Sequence, residues 1–229
     1  MQIAFIPVHY TSSNEISMIQ KEIYNNLFSK IVSVLFHPLL MPTYALIIIL
    51  NSGTHYAYIP EQAQKIIYVL IFLSTFLIPV SITPFLLQLK LINTFELEER
   101  KDRIIPLFIT AISYYFSFYL LTRLPFHVPQ FIKILVLASA ILIVINLLIN
   151  LKWKISSHLI GISGLLAIVF IFSIVYYANL MNILVLITVI AGVVAFARLK
   201  LNAHSPSQVY AGFLIGFSGM IVIIYFSMF

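Results

Sequence analysis

The chain is patterned as seven long apolar stretches separated by short polar gaps. The stretches cover about 28–50, 66–89, 104–122, 131–151, 157–178, 181–199 and 208–229. A helix needs about 20 apolar residues to cross a bilayer, and each stretch has about that length. Inside a bilayer, a single segment satisfies its own backbone only as a helix. We therefore predict an all-α fold, a polytopic transmembrane helical bundle with about six to seven membrane-spanning helices.

Composition agrees with this pattern. Of the 229 residues, 62% are hydrophobic and 9% are charged, whereas soluble domains carry about 25% charged residues. We expect an N-terminal cap or surface helix over 1–27 and the transmembrane bundle over 28–229. The first 15 residues lack a basic stretch followed by an apolar run, so we expect no cleavable signal peptide. The chain has no cysteine, which excludes disulfides and thiolate chemistry.

The second, fourth and sixth polar gaps carry most of the chemically active side chains. Successive members of this set are separated by two crossings, so all three gaps lie on one face of the membrane. Of the 13 Lys and Arg residues, Lys65, Arg123 and Lys133 fall on the other face, which leaves ten on this one. The positive-inside rule would make this face cytoplasmic. Five of the ten are candidates for holding a ligand, however, so the side remains open.

The active face combines histidines and cations with few acids. Its two histidines, His158 and His204, lie on different segments without carboxylate or thiolate partners at helical spacing, so we expect no metal. Clustered Arg and Lys beside histidines and helix N-termini favour a phosphate instead. Cytoplasmic loops and anionic headgroups account for the net charge of +6, and we expect no nucleic-acid partner.

Three short sequences on this face resemble signatures of the type 2 phosphatidic acid phosphatase family. Residues 198–208 place Arg198, His204 and Gln208 at the spacing of the third signature, S-R-x5-H-x3-D. Residues 155–158, ISSH, resemble the second, P-S-G-H. Residues 99–106, ERKDRIIP, loosely resemble the first, K-x6-R-P. The resemblance covers about residues 90–229.

This resemblance implies a metal-independent lipid phosphate phosphomonoesterase or phosphotransferase without a cofactor. By position, His204 is the nucleophile that forms a phosphohistidine, and His158 is the acid that protonates the leaving alkoxide. Arg198 clamps the phosphoryl oxygens, and Gln208 stands beside the nucleophile. The implied partner is a phosphorylated lipid of the membrane, such as phosphatidate, phosphatidylglycerophosphate or polyprenyl phosphate, and we expect a bacterial inner membrane. The implied substrate-binding residues are Lys101, Arg103, Ser156, Ser157 and Lys200.

The chain departs from the family pattern most consequentially at Gln208, where the family has Asp. That Asp orients the nucleophilic imidazole and offsets the positive charge it gains, whereas a Gln carbonyl accepts the same N–H without adding charge. In serine proteases, exchanging such an acid for its amide lowers kcat by about 10⁴. Asp102 and Glu99 are candidates for a substitute acid. The other departures are Glu98, Ile105, Ile155, Ser157 and Ala197.

Structural interpretations compete with these roles. Ser205-Pro206-Ser207-Gln208 has the pattern of a capping box that opens the last helix. Arg198 and Lys200 suit interfacial cations, and His37, before Pro38, suits a hydrogen-bonded histidine at a proline kink.

Two other functions remain open at this level. One is a catalytically impaired relative that binds or transports a phosphorylated lipid or anion. The other is an unrelated transporter or channel in which His37, His158 and His204 line a polar path.

Overall fold

The computed structural model describes residues 26–95, 97 and 99–228. Within these ranges all regular structure is helical, and seven helical stretches are long and apolar enough to cross a membrane. The predicted all-α transmembrane bundle is confirmed, and the chain is an integral membrane protein. The predicted cap over 1–27 lies outside the described residues, except for its last two positions, where the first helix already begins. The spans are Asn26–Leu50, Glu61–Gln88, Lys101–Arg123, Gln130–Asn150, Ser157–Val175, Met181–Lys200 and Pro206–Met228.

The first span is broken near its middle. Helix α1 covers residues 26–35, a 3₁₀ turn follows at Pro38–Leu40, and α2 covers Met41–Leu50. Pro38 disfavours helical geometry at the residue before it, and His37 has an extended backbone with ψ of 135°. The imidazole Nδ1 of His37 accepts the backbone N–H of Leu39 at 3.4 Å. The kink predicted at this site is therefore a complete break in the helix.

The second span also deviates from a regular helix. It consists of α3 (Glu61–Phe72), a π-helical segment (Leu73–Leu77) and α4 (Ile78–Gln88). Pro79 has no N–H to donate, and its ring crowds the carbonyl four residues earlier. The π-helical segment ends two residues before this proline and widens the helix there. The carbonyl of Ser74 accepts the Ser113 hydroxyl of the third span at 2.5 Å.

The other five spans contain one regular α-helix each. These are α5 (Ile104–Arg123), α6 (Gln130–Asn150), α7 (Ser157–Val175), α8 (Met181–Lys200) and α9 (Pro206–Met228). Helix α7 is the most buried span, and it packs against α2, α8 and α9.

Glycines allow α7 and α9 to approach closely. A Cβ at Gly212 would lie 2.8 Å from the carbonyl oxygen of Ser156, and one at Gly216 would lie 2.7 Å from the Cα of Ile160. Both neighbours are backbone atoms that cannot move independently. These two positions of α9 therefore require glycine at the present helix separation.

Hydrogen bonds join the three polar gaps that the crossing count places on one face. Asn150 donates its side-chain amide to the carbonyl of Arg100 at 2.9 Å, which ties the fourth gap to the second. The N–H of Ser156 donates to the carbonyl of Gln208 at 3.4 Å, which ties the start of α7 to the start of α9. The predicted convergence of these gaps is thus present in the fold.

We expect Gly216→Ala to destabilise the protein by about 1–3 kcal/mol, the usual cost of overpacking a tight contact. Gly192→Ala is the matched control, because a Cβ at Gly192 meets no atom within 4 Å. Thermal unfolding in detergent measures both variants. Equal stability of the two variants would contradict the close packing of α7 and α9.

Candidate functional site

A cavity of about 330 Å³ lies where the three gaps converge. Its walls come from the break in the first span, the end of the second span and the starts of α5 and α7. The end of α8 and the loop after it complete the wall. The polar side chains that line it are His37, Thr83, Arg103, Thr110, Ser157, His158, Arg198 and His204. Five of these are residues that the sequence predicts to act on a phosphate.

Two guanidinium groups contribute positive charge to this cavity. Arg103 is 7% exposed, and it donates Nε–H to the Leu97 carbonyl at 2.8 Å and Nη1–H to the Ile155 carbonyl at 3.2 Å. Arg198 donates Nη1–H to the Ser33 hydroxyl at 3.2 Å. The Nε–H of Arg198 is buried and has no hydrogen-bond partner within the described part of the chain. An acceptor that reached this donor would remove the cost of leaving it buried without a hydrogen bond.

No carboxylate of the described residues neutralises these cations. Glu61 pairs with Lys65 at 2.7 Å, and Glu99 is exposed. Asp102 accepts the backbone N–H and the side-chain amide of Asn93, both at 3.0 Å. Asp102 and Glu99 do not line the cavity, so the structure does not support either as a substitute for the missing family Asp.

His204 is held by Gln208 in a defined tautomer. The Oε1 of Gln208 accepts the backbone N–H of Ser205 at 3.2 Å, which fixes the orientation of the amide. The same oxygen lies 3.1 Å from Nδ1 of His204. A carbonyl oxygen can only accept, so Nδ1 carries the hydrogen and Nε2 carries the lone pair. Gln208 therefore performs its half of the capping box while it leaves the lone pair of His204 on Nε2.

The electrostatic surroundings of His204 keep its imidazole unprotonated. The side chain is 7% exposed, and burial is the largest cause that lowers its pKa, to about 3. The guanidinium groups of Arg103 and Arg198 and the ammonium of Lys154 lower the pKa further. The hydrogen bond to Gln208 opposes these effects. A neutral imidazole with a free Nε2 is the form that attacks an electrophile.

His158 is fixed by the first span. Its Nε2 lies 3.1 Å from the carbonyl oxygen of Ser33, so Nε2 is the protonated nitrogen and Nδ1 is left for other chemistry. Because Nε2 donates in both protonation states, the ring can gain or lose a proton at Nδ1 without breaking this bond. That property is what a residue needs to act as a general acid and base.

Ser157 has its hydroxyl hydrogen available. Its Oγ accepts the side-chain amide of Asn146 at 2.8 Å, so the hydroxyl is free to donate elsewhere. Ser157 lines the cavity, and Asn146 therefore acts as its positioning residue.

Three predicted substrate-binding residues do not line the cavity. Lys101 and Lys200 are exposed, and each lies two positions from an arginine that does line it. Two positions differ by about 200° around the axis of α8 and by about 240° in the 3₁₀ turn Lys101–Arg103, so each lysine points elsewhere. Ser156 is the N-cap residue of α7, and its hydroxyl is fully buried without a described partner.

Sequence reasoning assigned no phosphate-binding role to two residues of the first span. His37 lines the cavity, although its position before Pro38 favoured a structural interpretation. Ser33 contacts both His158 and Arg198, but no spacing in the sequence connects it to residues more than 100 positions away. The interrupted apolar stretch was the available signal, because broken membrane helices often mark binding sites.

A second, apolar cavity of about 80 Å³ adjoins the first. It follows α7 from Ser157 to Ile168. The eleven helical rises from Ser157 to Ile168 correspond to about 16 Å, or half of the hydrocarbon core of a bilayer. The residues that line both cavities are Pro38, Leu39, Leu107, Thr110 and Ser157.

Comparison with known proteins adds no relative, since no family model, curated protein or solved structure matches the chain. The site therefore has to be interpreted from its own geometry. The resemblance to the type 2 phosphatidic acid phosphatases stays a prediction.

We expect the imidazole of His204 to remain neutral, with its hydrogen on Nδ1, between pH 8 and pH 5. The pKa is lowered from an ordinary value of 6.5 to about 3, so protonation begins only well below pH 5. Nitrogen-15 NMR of labelled protein in detergent follows the ring, and the signals lost in His204→Gln assign it. Uptake of a proton by this ring near pH 6.5 would contradict the described burial.

Proposed function

We propose that this protein binds the phosphate of a phosphorylated membrane lipid and hydrolyses or transfers it. In this proposal it is a metal-independent lipid-phosphate phosphatase or phosphotransferase similar to the type 2 phosphatidic acid phosphatases. The observation that carries the proposal is the placement of Arg103 and Arg198 at one cavity without a described carboxylate. Buried cations require an anionic partner, and paired guanidinium groups suit phosphate oxygens.

The surrounding imidazoles support a two-step transfer. Nε2 of His204 attacks phosphorus, and the bond between phosphorus and the ester oxygen breaks. The negative charge of the bound phosphate favours a proton on Nδ1 of His158, and the leaving alkoxide takes that proton, so that His158 becomes neutral. A water molecule then gives a proton back to Nδ1 of His158 and attacks phosphorus, and the bond from phosphorus to His204 breaks. Arg103 and Arg198 stabilise the charge on the phosphoryl oxygens during both steps.

The apolar cavity supports a lipid substrate over a soluble phosphate. It begins at Ser157, beside the cations, and extends along α7 towards the middle of the membrane. An ester whose phosphate binds Arg103 and Arg198 can place part of its hydrocarbon chain there, which removes apolar surface from water. Phosphatidate, phosphatidylglycerophosphate and polyprenyl phosphate all satisfy this requirement. We propose a bacterial inner membrane as the location and assign no side to the site.

Gln208 favours a second candidate function, the binding or transport of a phosphorylated lipid or anion without turnover. Binding a phosphate needs only the guanidinium groups of Arg103 and Arg198 and further hydrogen-bond donors. A phosphohistidine at His204 additionally gains positive charge, which Gln208 does not offset. The two candidates share the ligand and differ in whether phosphate is released.

Phosphate release from lipid phosphates tests the proposal. We expect purified protein in detergent with a chelator to release phosphate from at least one of the three lipids, and to act poorly on glycerol phosphate. His204→Ala removes the nucleophile and should lower release by at least about 10³-fold. His127→Ala is the matched control, since His127 is exposed in a gap on the opposite face. Lipid binding without phosphate release supports the second candidate. If the protein neither binds these lipids nor releases phosphate, the proposed phosphate site at Arg103 and Arg198 is wrong.

We expect Gln208→Glu to raise turnover by at least about tenfold, which corresponds to about 1.4 kcal/mol of barrier. The carboxylate keeps the length of the side chain, accepts the same N–H groups of His204 and Ser205, and adds the missing negative charge. Single-turnover measurements of phosphate release provide the comparison, with Gln208→Asp as the shorter variant. A fall in turnover in both variants would mean that the amide has its own role and that the family comparison fails at this position.

A further inference from the structure

The break in the first span forms a wall of the candidate site that belongs to none of the three signature sequences. His37, Pro38 and Leu39 line the cavity. Ser33, one helical turn earlier, accepts the Nε2–H of His158 on its carbonyl and the Nη1–H of Arg198 on its hydroxyl. This segment therefore contacts two of the residues to which we assign chemistry.

The imidazole of His37 is held with one nitrogen available. Its Nδ1 accepts the backbone N–H of Leu39, so the hydrogen of the ring is on Nε2. The ring of His158 packs against it edge-on, with centroids 5.5 Å apart, and the ring of Phe76 packs at 6.4 Å. In the described part of the chain, no hydrogen bond joins Nε2 of His37 to a protein atom. A ring fixed by two neighbours and lining a cationic cavity presents this N–H to whatever anion enters.

The bonding of His37 separates its chemistry from that of His158. If Nδ1 of His37 were protonated, it could no longer accept the N–H of Leu39, and the two N–H groups would face each other. The hydrogen bond to Leu39 therefore favours the neutral imidazole. Protonation of His158 at Nδ1 leaves its bond to Ser33 intact. His37 can therefore act as a fixed hydrogen-bond donor, while the adjacent His158 transfers protons.

We propose that His37 is a ligand-binding residue of this site, which donates its Nε2–H as a neutral imidazole to an oxygen of the bound phosphate. The inference rests on the proposed function, since it needs the phosphate to occupy the cavity. His37 would add one donor to those of Arg103, Arg198 and Ser157. The complete phosphate site would then be built from four segments of the chain, and the fourth is the broken first helix.

Binding of inorganic phosphate, measured by calorimetry in detergent, tests this inference without requiring turnover. His37→Phe keeps a ring between His158 and Phe76 but removes the donor, and we expect it to weaken binding at least about tenfold, as for a hydrogen bond to a charged group. His37→Gln retains an N–H donor and should stay within about threefold of the wild type. His127→Phe, on the opposite face, is the matched control and should bind as the wild type does.

The outcomes separate this inference from the proposed function. If Arg198→Ala loses phosphate and His37→Phe does not, His37 is not a ligand-binding residue, while the anion site stands. Equal weakening in His37→Phe and His37→Gln also overturns the inference, because the donor is then not what matters. If the wild type and Arg198→Ala bind phosphate equally poorly, the anion site itself is wrong and the role of His37 falls with it.

A measurement on the wild type guards against misfolding of the variants. Nitrogen-15 NMR should show the Nε2–H signal of His37 shifting when phosphate is added. A signal that does not move at saturating phosphate would overturn the proposal.

Discussion

The site depends on one electrostatic constraint, which is that two buried guanidinium groups of a membrane protein form no ion pair with a described carboxylate. Removing such a charge from water costs several kcal/mol even after the protein relaxes. Arg103 offsets part of this cost with the carbonyls of Leu97 and Ile155. Arg198 has a hydroxyl partner and an orphaned Nε–H. The absence of a carboxylate partner among the described residues and the orphaned donor of Arg198 both favour an anion in the cavity.

This constraint also accounts for the state of the neighbouring imidazole. The same cations that attract an anion oppose the protonation of His204, so the ring stays neutral and its Nε2 stays nucleophilic. An incoming phosphate reverses part of that effect by supplying negative charge. Gln208 orients the ring but does not share its charge. In our proposal, the substrate therefore supplies the negative charge that offsets the positive charge of the site. A carboxylate at position 208 would supply that charge permanently.

The sequence predicted the seven spans and the convergence of the second, fourth and sixth gaps, because both depend only on segment length and the number of crossings. The spacing of Arg198, His204 and Gln208 also placed the pair of His204 and Gln208 correctly. The sequence does not show how each helix is rotated about its axis. It therefore could not show whether Arg103 or Lys101, or Arg198 or Lys200, faces the cavity. Because the two residues of each pair are two positions apart, only one of them can face the cavity. In both pairs the arginine faces it. The contacts of Ser33 and the position of His37 in the cavity wall depend on how the broken first span packs against the other helices. Local propensity does not determine that packing.

In our proposal, this cavity holds a phosphate between two arginines and two histidines. An experimental structure of the protein with vanadate, a phosphate analogue that takes up a fifth ligand, tests it most directly. We expect density for vanadate within hydrogen-bonding distance of the guanidinium groups of Arg103 and Arg198, with Nε2 of His204 facing the vanadium. An empty cavity at saturating vanadate, or vanadate bound elsewhere on the protein, would contradict the account.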